Sequence, residues 1–120
     1  MSGRRQRNVS LITQNLATRD GRTSVRLETK LWDAYDDICS AAGLSRFDVS
    51  RMIDEKKPDG VSFTSCVRIF VVAYYRTCFR NPAATVSDVL RIAASSVSGE
   101  NSSASQKPLS VAAAHRIARE

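Results

Sequence analysis

The chain has 120 residues, with 18 Lys and Arg against 12 Asp and Glu and a formal charge of +6. This length suits one small domain with tails, and the basic balance points to an anionic partner such as nucleic acid. One histidine (His115) cannot make a catalytic pair or a metal site alone, the three cysteines (Cys39, Cys66 and Cys78) lack ligand spacing, and no nucleophile–base pair or phosphate loop appears, so neither an enzyme nor a cofactor is expected.

The charge is unevenly distributed. Residues 1–26 hold six Arg and one Asp, net +5, whereas residues 27–61 hold five basic and eight acidic residues, net −3. Positive potential is therefore concentrated in the N-terminal segment, ahead of acidic helices. The cysteines read as reduced thiols of a cytosolic protein, with redox sensing as the minor alternative. Arg4, Arg5 and Arg7 are not followed by an unbroken apolar stretch, so no signal peptide is read and a cytoplasmic location is expected.

Residues 1–20 are polar and Arg-rich, and read as a flexible basic arm. Polar and apolar residues then alternate strictly over residues 22–28. This spacing predicts a strand with Val25 and Leu27 on one face and Ser24 and Arg26 on the other. One strand cannot satisfy its own backbone groups, and the obvious partner is the same strand of a second copy. A ribbon presenting paired Ser and Arg side chains fits the major groove of DNA.

A first helix is predicted over residues 30–42, with Glu28 or Thr29 as its cap. Leu31, Tyr35, Ile38 and Ala42 fall on one face, Asp33, Asp36 and Asp37 on the other, and Gly43 can end the helix. Trp32 lies at the edge of the stripe and is expected to wrap against a neighbouring helix. A second helix starts after Ser45, whose pairing with Asp48 approaches a capping box; Val49, Met52 and Ile53 form its stripe. Pro58 and Gly60 break the chain.

A third helix is predicted from Ser62 or Thr64 to Arg80. The run 66–75 is too short for a membrane span, and Arg68 interrupts it. Apolar residues cover nearly its whole circumference, so burial on several sides is expected, partly by a second copy. A strand is the runner-up; the length and the Asn81-Pro82 stop favour the helix. Arg68 is expected to pair with an acid of the first or second helix, and Tyr74 and Tyr75 to serve the core or a dimer interface. Residues 81–120 read as a largely flexible Ser/Ala-rich tail, with a short helix around residues 87–94 and a frayed one on Val111, Ala114 and Ile117. The domain proper is thus expected over residues 21–80.

The segments Arg-Thr-Ser-Val-Arg-Leu-Glu (22–28), Leu-Trp-Asp-Ala-Tyr (31–35) and Gly-Leu-Ser (43–45) together resemble the ribbon–helix–helix family of DNA-binding proteins, the Arc and MetJ type. The segment 62–76 looks like the extension of a bacterial subfamily whose core continues into an apolar helix. The resemblance implies a mainly α fold: one N-terminal strand pairing antiparallel across a two-fold dimer, two helices, and a third apolar helix. It implies a dimer core of Val25, Leu27, Leu31, Tyr35, Ile38, Val49 and Ile53. Arg22, Ser24 and Arg26 would read base edges. Many relatives have proline at the first helical position, where this chain has Thr29.

The residue chemistry agrees. Arg bonds guanine O6 and N7 bidentately, and Ser serves many bases. The turn before the second helix (Ser45, Arg46 and Phe47) would offer backbone N–H groups and a helix dipole to a phosphate. Arg4, Arg5 and Arg7 would track phosphates or a minor groove. Glu28 is open to three roles: capping the first helix, accepting from cytosine N4, or restraining Arg26. The expected partner is double-stranded DNA, bound by a homodimer with room for higher order on DNA and no membrane. The expected role is a transcriptional repressor. An antitoxin or a plasmid or conjugation accessory protein is the alternative. An adaptor that binds proteins through the third helix or the tail is the rival from another class.

Overall fold

The computed structural model describes residues 10–99. They form a hairpin and four helices: β1 (Leu11–Thr18), β2 (Gly21–Glu28), α1 (Thr29–Ala42), α2 (Arg46–Lys56), α3 (Phe63–Arg80) and α4 (Val86–Ser98). The arm residues Arg4, Arg5 and Arg7, and the apolar positions around Val111, lie outside the described residues.

β2 forms as expected, and the same chain adds a strand beside it that the sequence reading did not expect. β1 and β2 pair antiparallel over their full lengths, with Asn15 opposite Ser24 and Thr13 opposite Arg26. Residues 11–18 therefore belong to the domain and not to an arm. The connection is a two-residue turn, Arg19 and Asp20, closed by Gly21 at φ +121°, a region L side chains rarely adopt. The inward side of β1 is only partly apolar, since Gln14 and Thr18 alternate with Ile12 and Leu16. Leu16 alone of these is fully buried.

Helix boundaries follow local chemistry. α1 ends where Gly43 turns left-handed at φ +69°, and the Leu44 N–H closes back on the Cys39 carbonyl at 3.0 Å. The residue before α1, Glu28, makes no side-chain cap. Ser45 and Asp48 form a reciprocal capping box: the Ser45 hydroxyl accepts from the Asp48 N–H, and the Asp48 carboxylate accepts from the Ser45 N–H. Ser62 caps α3 by accepting from the Ser65 N–H at 3.1 Å.

α4 is longer than the sequence reading and packs extensively on α3. The hydroxyl of Thr85 caps it by accepting the Asp88 N–H at 3.1 Å, and Val89, Leu90, Ala93 and Val97 enter the core. Thus the chain itself supplies much of the cover for α3 that was expected from a second copy. Burying these small residues suffices to hold a Ser/Ala-rich helix whose own propensity is modest.

Val25, Leu27, Tyr35, Ile38, Val49 and Ile53 are all fully buried within one chain, and Leu31 is half-buried against them. Trp32 packs against both α2, whose Arg46 lies over its ring, and the ribbon, where its indole N–H donates to the Ile12 carbonyl at 2.8 Å. Tyr35 and Ser50 share a buried 2.7 Å hydrogen bond. Burial raises the Tyr35 phenol well above its ordinary range. Among the described residues, no helix is long and apolar enough to cross a membrane.

Candidate nucleic-acid interface

β2 presents the ribbon's two faces as the alternation predicts. Val25 and Leu27 have no exposed surface, while Arg22, Ser24 and Arg26 are exposed on the opposite face. Successive residues on that face are separated by two strand rises, about 6.7 Å. Register adds residues that an arm would not contribute: Ala17 beside Arg22, Asn15 beside Ser24, and Thr13 beside Arg26. The Ser24 hydroxyl donates to Asn15 Oδ1 at 3.2 Å. The outward face is thus a polar patch two strands wide with two guanidinium groups.

The acid at the end of this row is engaged. Arg68 of α3 meets Glu28 Oε1 at 3.0 Å. The pair is partly exposed, so it contributes little to stability, about 0–1 kcal/mol. It holds the Glu28 carboxylate against α3. Glu28 lies just before α1, so Arg68 finds its acid at the strand–helix junction and not within α1 or α2.

Two further joints fix the ribbon on the helices. Asp54 of α2, only 5 % exposed, accepts the backbone N–H of Arg19 at 2.8 Å and faces its Nε at 3.3 Å. The second joint is Arg46. Its guanidinium makes a bidentate pair with Asp36 at 2.7 and 2.9 Å, donates to Gln14 of β1, and lies 4.9 Å over the Trp32 ring. Hydrogen bonding to Asp36 raises its already high pKa further. Two elements, α1 and β1, therefore converge on this one side chain of α2.

This geometry divides the residues of the α2 turn. The half-exposed Arg46 side chain is held by contacts within the chain, and the Ser45 N–H is taken by Asp48. The backbone N–H groups of Arg46 and Phe47 remain at the first turn, where a helix has no internal partner for them. The Phe47 ring is exposed, with the Arg51 guanidinium 5.7 Å from its centroid.

All three cysteines are free thiols; Cys39 and Cys66 are buried. Burial, aided by nearby Asp36, pushes the Cys39 thiol up to about 11, and burial raises Cys66 as well. Thiols held this way supply little thiolate, which argues against redox sensing at either position.

Residues 11–75 match the sequence profile of the family described as the ribbon-helix-helix domain. No curated protein and no solved structure matches the chain.

Proposed function

The chain belongs to the ribbon–helix–helix family, whose members are DNA-binding regulators that bind as dimers, and on that premise we propose that it is a sequence-specific double-stranded DNA-binding protein, a dimeric transcriptional repressor of the bacterial cytoplasm. The observation that carries this reading is the exposed Arg22, Ser24 and Arg26 row backed by the buried Val25 and Leu27. Arg22 and Arg26 supply bidentate donors for guanine, and a ribbon of two strands, β2 and its copy, is the size of element that the major groove admits. The N–H groups of Arg46 and Phe47 at the start of α2 would anchor a phosphate, fixing the ribbon's register on the duplex.

The second copy would lie along the other edge of β2. Among the described residues, β2 has a strand neighbour on one side only. The Thr29 N–H donates to the Ser10 carbonyl, so the antiparallel alternation turns the backbone groups of Arg22, Ser24 and Arg26 towards that open edge. Two-fold pairing there would bring two Arg26 side chains near the dyad, to meet repeated half-sites.

Selection of bound duplexes from a random pool tests the reading. A two-fold motif is the expected product, and Arg26→Ala should lose its guanine preference while staying folded. Affinity should fall with salt at a log–log slope of about −0.9 per phosphate contact. A folded chain that enriches no duplex, at any salt concentration, would refute DNA binding. That outcome would favour the second reading, a dimeric protein-interaction adaptor, which is motivated by the uncovered face of α3: Val72 is 61 % and Phe79 85 % exposed.

A further inference from the structure

α3 has one side that no other described element covers. Ile69, Val72, Arg76 and Phe79 stand exposed on one face of this 18-residue helix, in steps of three and four, the spacing of helices that pair side by side. Tyr75, 42 % exposed, flanks the row and donates to the Ala34 carbonyl of α1 at 3.4 Å. A whole aromatic side chain presents about 150–250 Å², and Ile and Val somewhat less, so the four apolar members leave roughly 400 Å² bare per copy. A contiguous apolar patch of that size marks an interaction surface.

Position says what covers it. β1 lies against α2 and β2 against α3, so the step from β1 to β2 leads on to the open edge of β2 and the outer side of α3. Arg68, one turn ahead of Val72, meets Glu28 at the end of β2 at 3.0 Å, so the row starts beside the strand. The open edge alone is a poor adhesive. Val25 and Leu27 have no exposed surface left to bury, so strand pairing there adds backbone hydrogen bonds and little apolar burial. A stable interface takes about 800 Å² per partner, of which the row offers about half. We propose that the α3 row of a second copy covers this one, so that α3 against α3, beside the paired β2 strands, holds the dimer together. The inference rests on the two-fold pairing of β2 proposed above and names the surface that sustains it. Two-fold symmetry makes the row meet itself, which an apolar row tolerates and a charge does not unless an opposite charge is near. Arg76 in the row and Asp37 of α1 make no ion pair among the described residues. Asp37 lies close enough to the row that, after burial, it helps to push the Tyr75 phenol up. Arg76 would therefore find Asp37 of the partner subunit at the rim of the contact.

The experiment is sedimentation of the full chain, without DNA, across a dilution series. Wild type should run as a dimer that dissociates on dilution. Val72→Asp and Phe79→Asp should each weaken self-association about 30-fold or more. Both should keep a native thermal transition, since these side chains are exposed in the single chain. Arg76→Asp and Asp37→Arg should each weaken the dimer, and the two together should restore part of the loss, a rescue that a local effect on one helix does not produce. That exchange of charges decides the question should either apolar variant fail to fold. Dimerisation unchanged in Val72→Asp and Phe79→Asp would overturn the inference and place the dimer on the strand edge alone. A wild type that stays monomeric at every concentration would also overturn it, and leave the row to a different protein. The DNA-binding reading fails separately: a chain that enriches no duplex, yet loses its dimer in Phe79→Asp, would refute that reading and uphold this one.

Discussion

The clamp between Asp54 and the hairpin turn gives a sharp test of how the ribbon is held. Its carboxylate makes two contacts of different worth. The bond from the Arg19 backbone N–H, at 2.8 Å, ends on a charged acceptor that is 5 % exposed. Losing such a bond costs about 1.5–3 kcal/mol. The ion pair to the Arg19 guanidinium, at 3.3 Å, involves a side chain that is 60 % exposed, and solvent screening holds it to about 0–1 kcal/mol. Asp54→Ala removes both and should cost about 2–3 kcal/mol, or roughly 10–20 °C in Tm for a domain of this size. Asp54→Asn keeps an acceptor for the backbone N–H and should cost about 1 kcal/mol. Arg19→Ala keeps the backbone bond entirely and should cost at most about 1 kcal/mol. Urea denaturation of the three variants measures this ranking through the midpoints at constant m. If Arg19→Ala were as damaging as Asp54→Ala, the ion pair would be the anchor and the reasoning would fail.

Ser50→Ala should destabilise the fold by about 1–3 kcal/mol, because it strands the buried Tyr35 hydroxyl; adding Tyr35→Phe should recover part of that loss, as a double-mutant cycle by thermal denaturation would reveal. Thr85→Ala should cost about 1 kcal/mol and speed amide hydrogen exchange in α4 ahead of α1. Cys39 bears on alkaline stability. Its thiol is raised from 9.0 to about 11 in the fold, so the unfolded chain gives up the proton first and stability falls as pH rises. Its contribution should be complete below pH 9 and lost as pH passes through about 11, read from urea midpoints at pH 7, 9 and 11; Cys39→Ala should flatten that profile, and an unaltered profile would count against it.

How far the sequence disclosed this fold depended on how cleanly each segment advertised its partner. β2 was legible because its alternation is strict. α1 and α2 were legible because Gly43, Ser45 and Asp48 have side chains, or lack them, in ways that only helix ends reward. β1 escaped notice since Gln14 and Thr18 occupy two of its inward positions, and a half-polar strand reads as an arm. One signal was available: Asp20-Gly21, a dipeptide favoured at tight hairpin turns, ahead of a strand with strict alternation. α4 was partly legible, since Val86, Val89, Leu90, Ala93 and Val97 keep helical spacing and Thr85 and Asp88 repeat the spacing of Ser45 and Asp48, but its Ser-rich end reads as linker. On the candidate interface, the exposure of Arg22, Ser24 and Arg26 followed from β2 alone. The internal commitment of Arg46 did not. It depends on Asp36, Gln14 and Trp32 arriving from two other elements, and no local pattern encodes such a meeting.

The two-residue turn at Arg19 and Asp20 also bears on how the protein comes into being. Strands joined so closely pair through contacts that are near in sequence, and hairpins of this kind form in about 1–10 μs. A newly made chain can therefore pair β1 with β2 before it meets another copy. Hairpin closure is thus a first-order event, whereas pairing of two copies is governed by concentration. Even where copies are few, β2 keeps one strand partner from its own chain, and its other edge waits on a second chain.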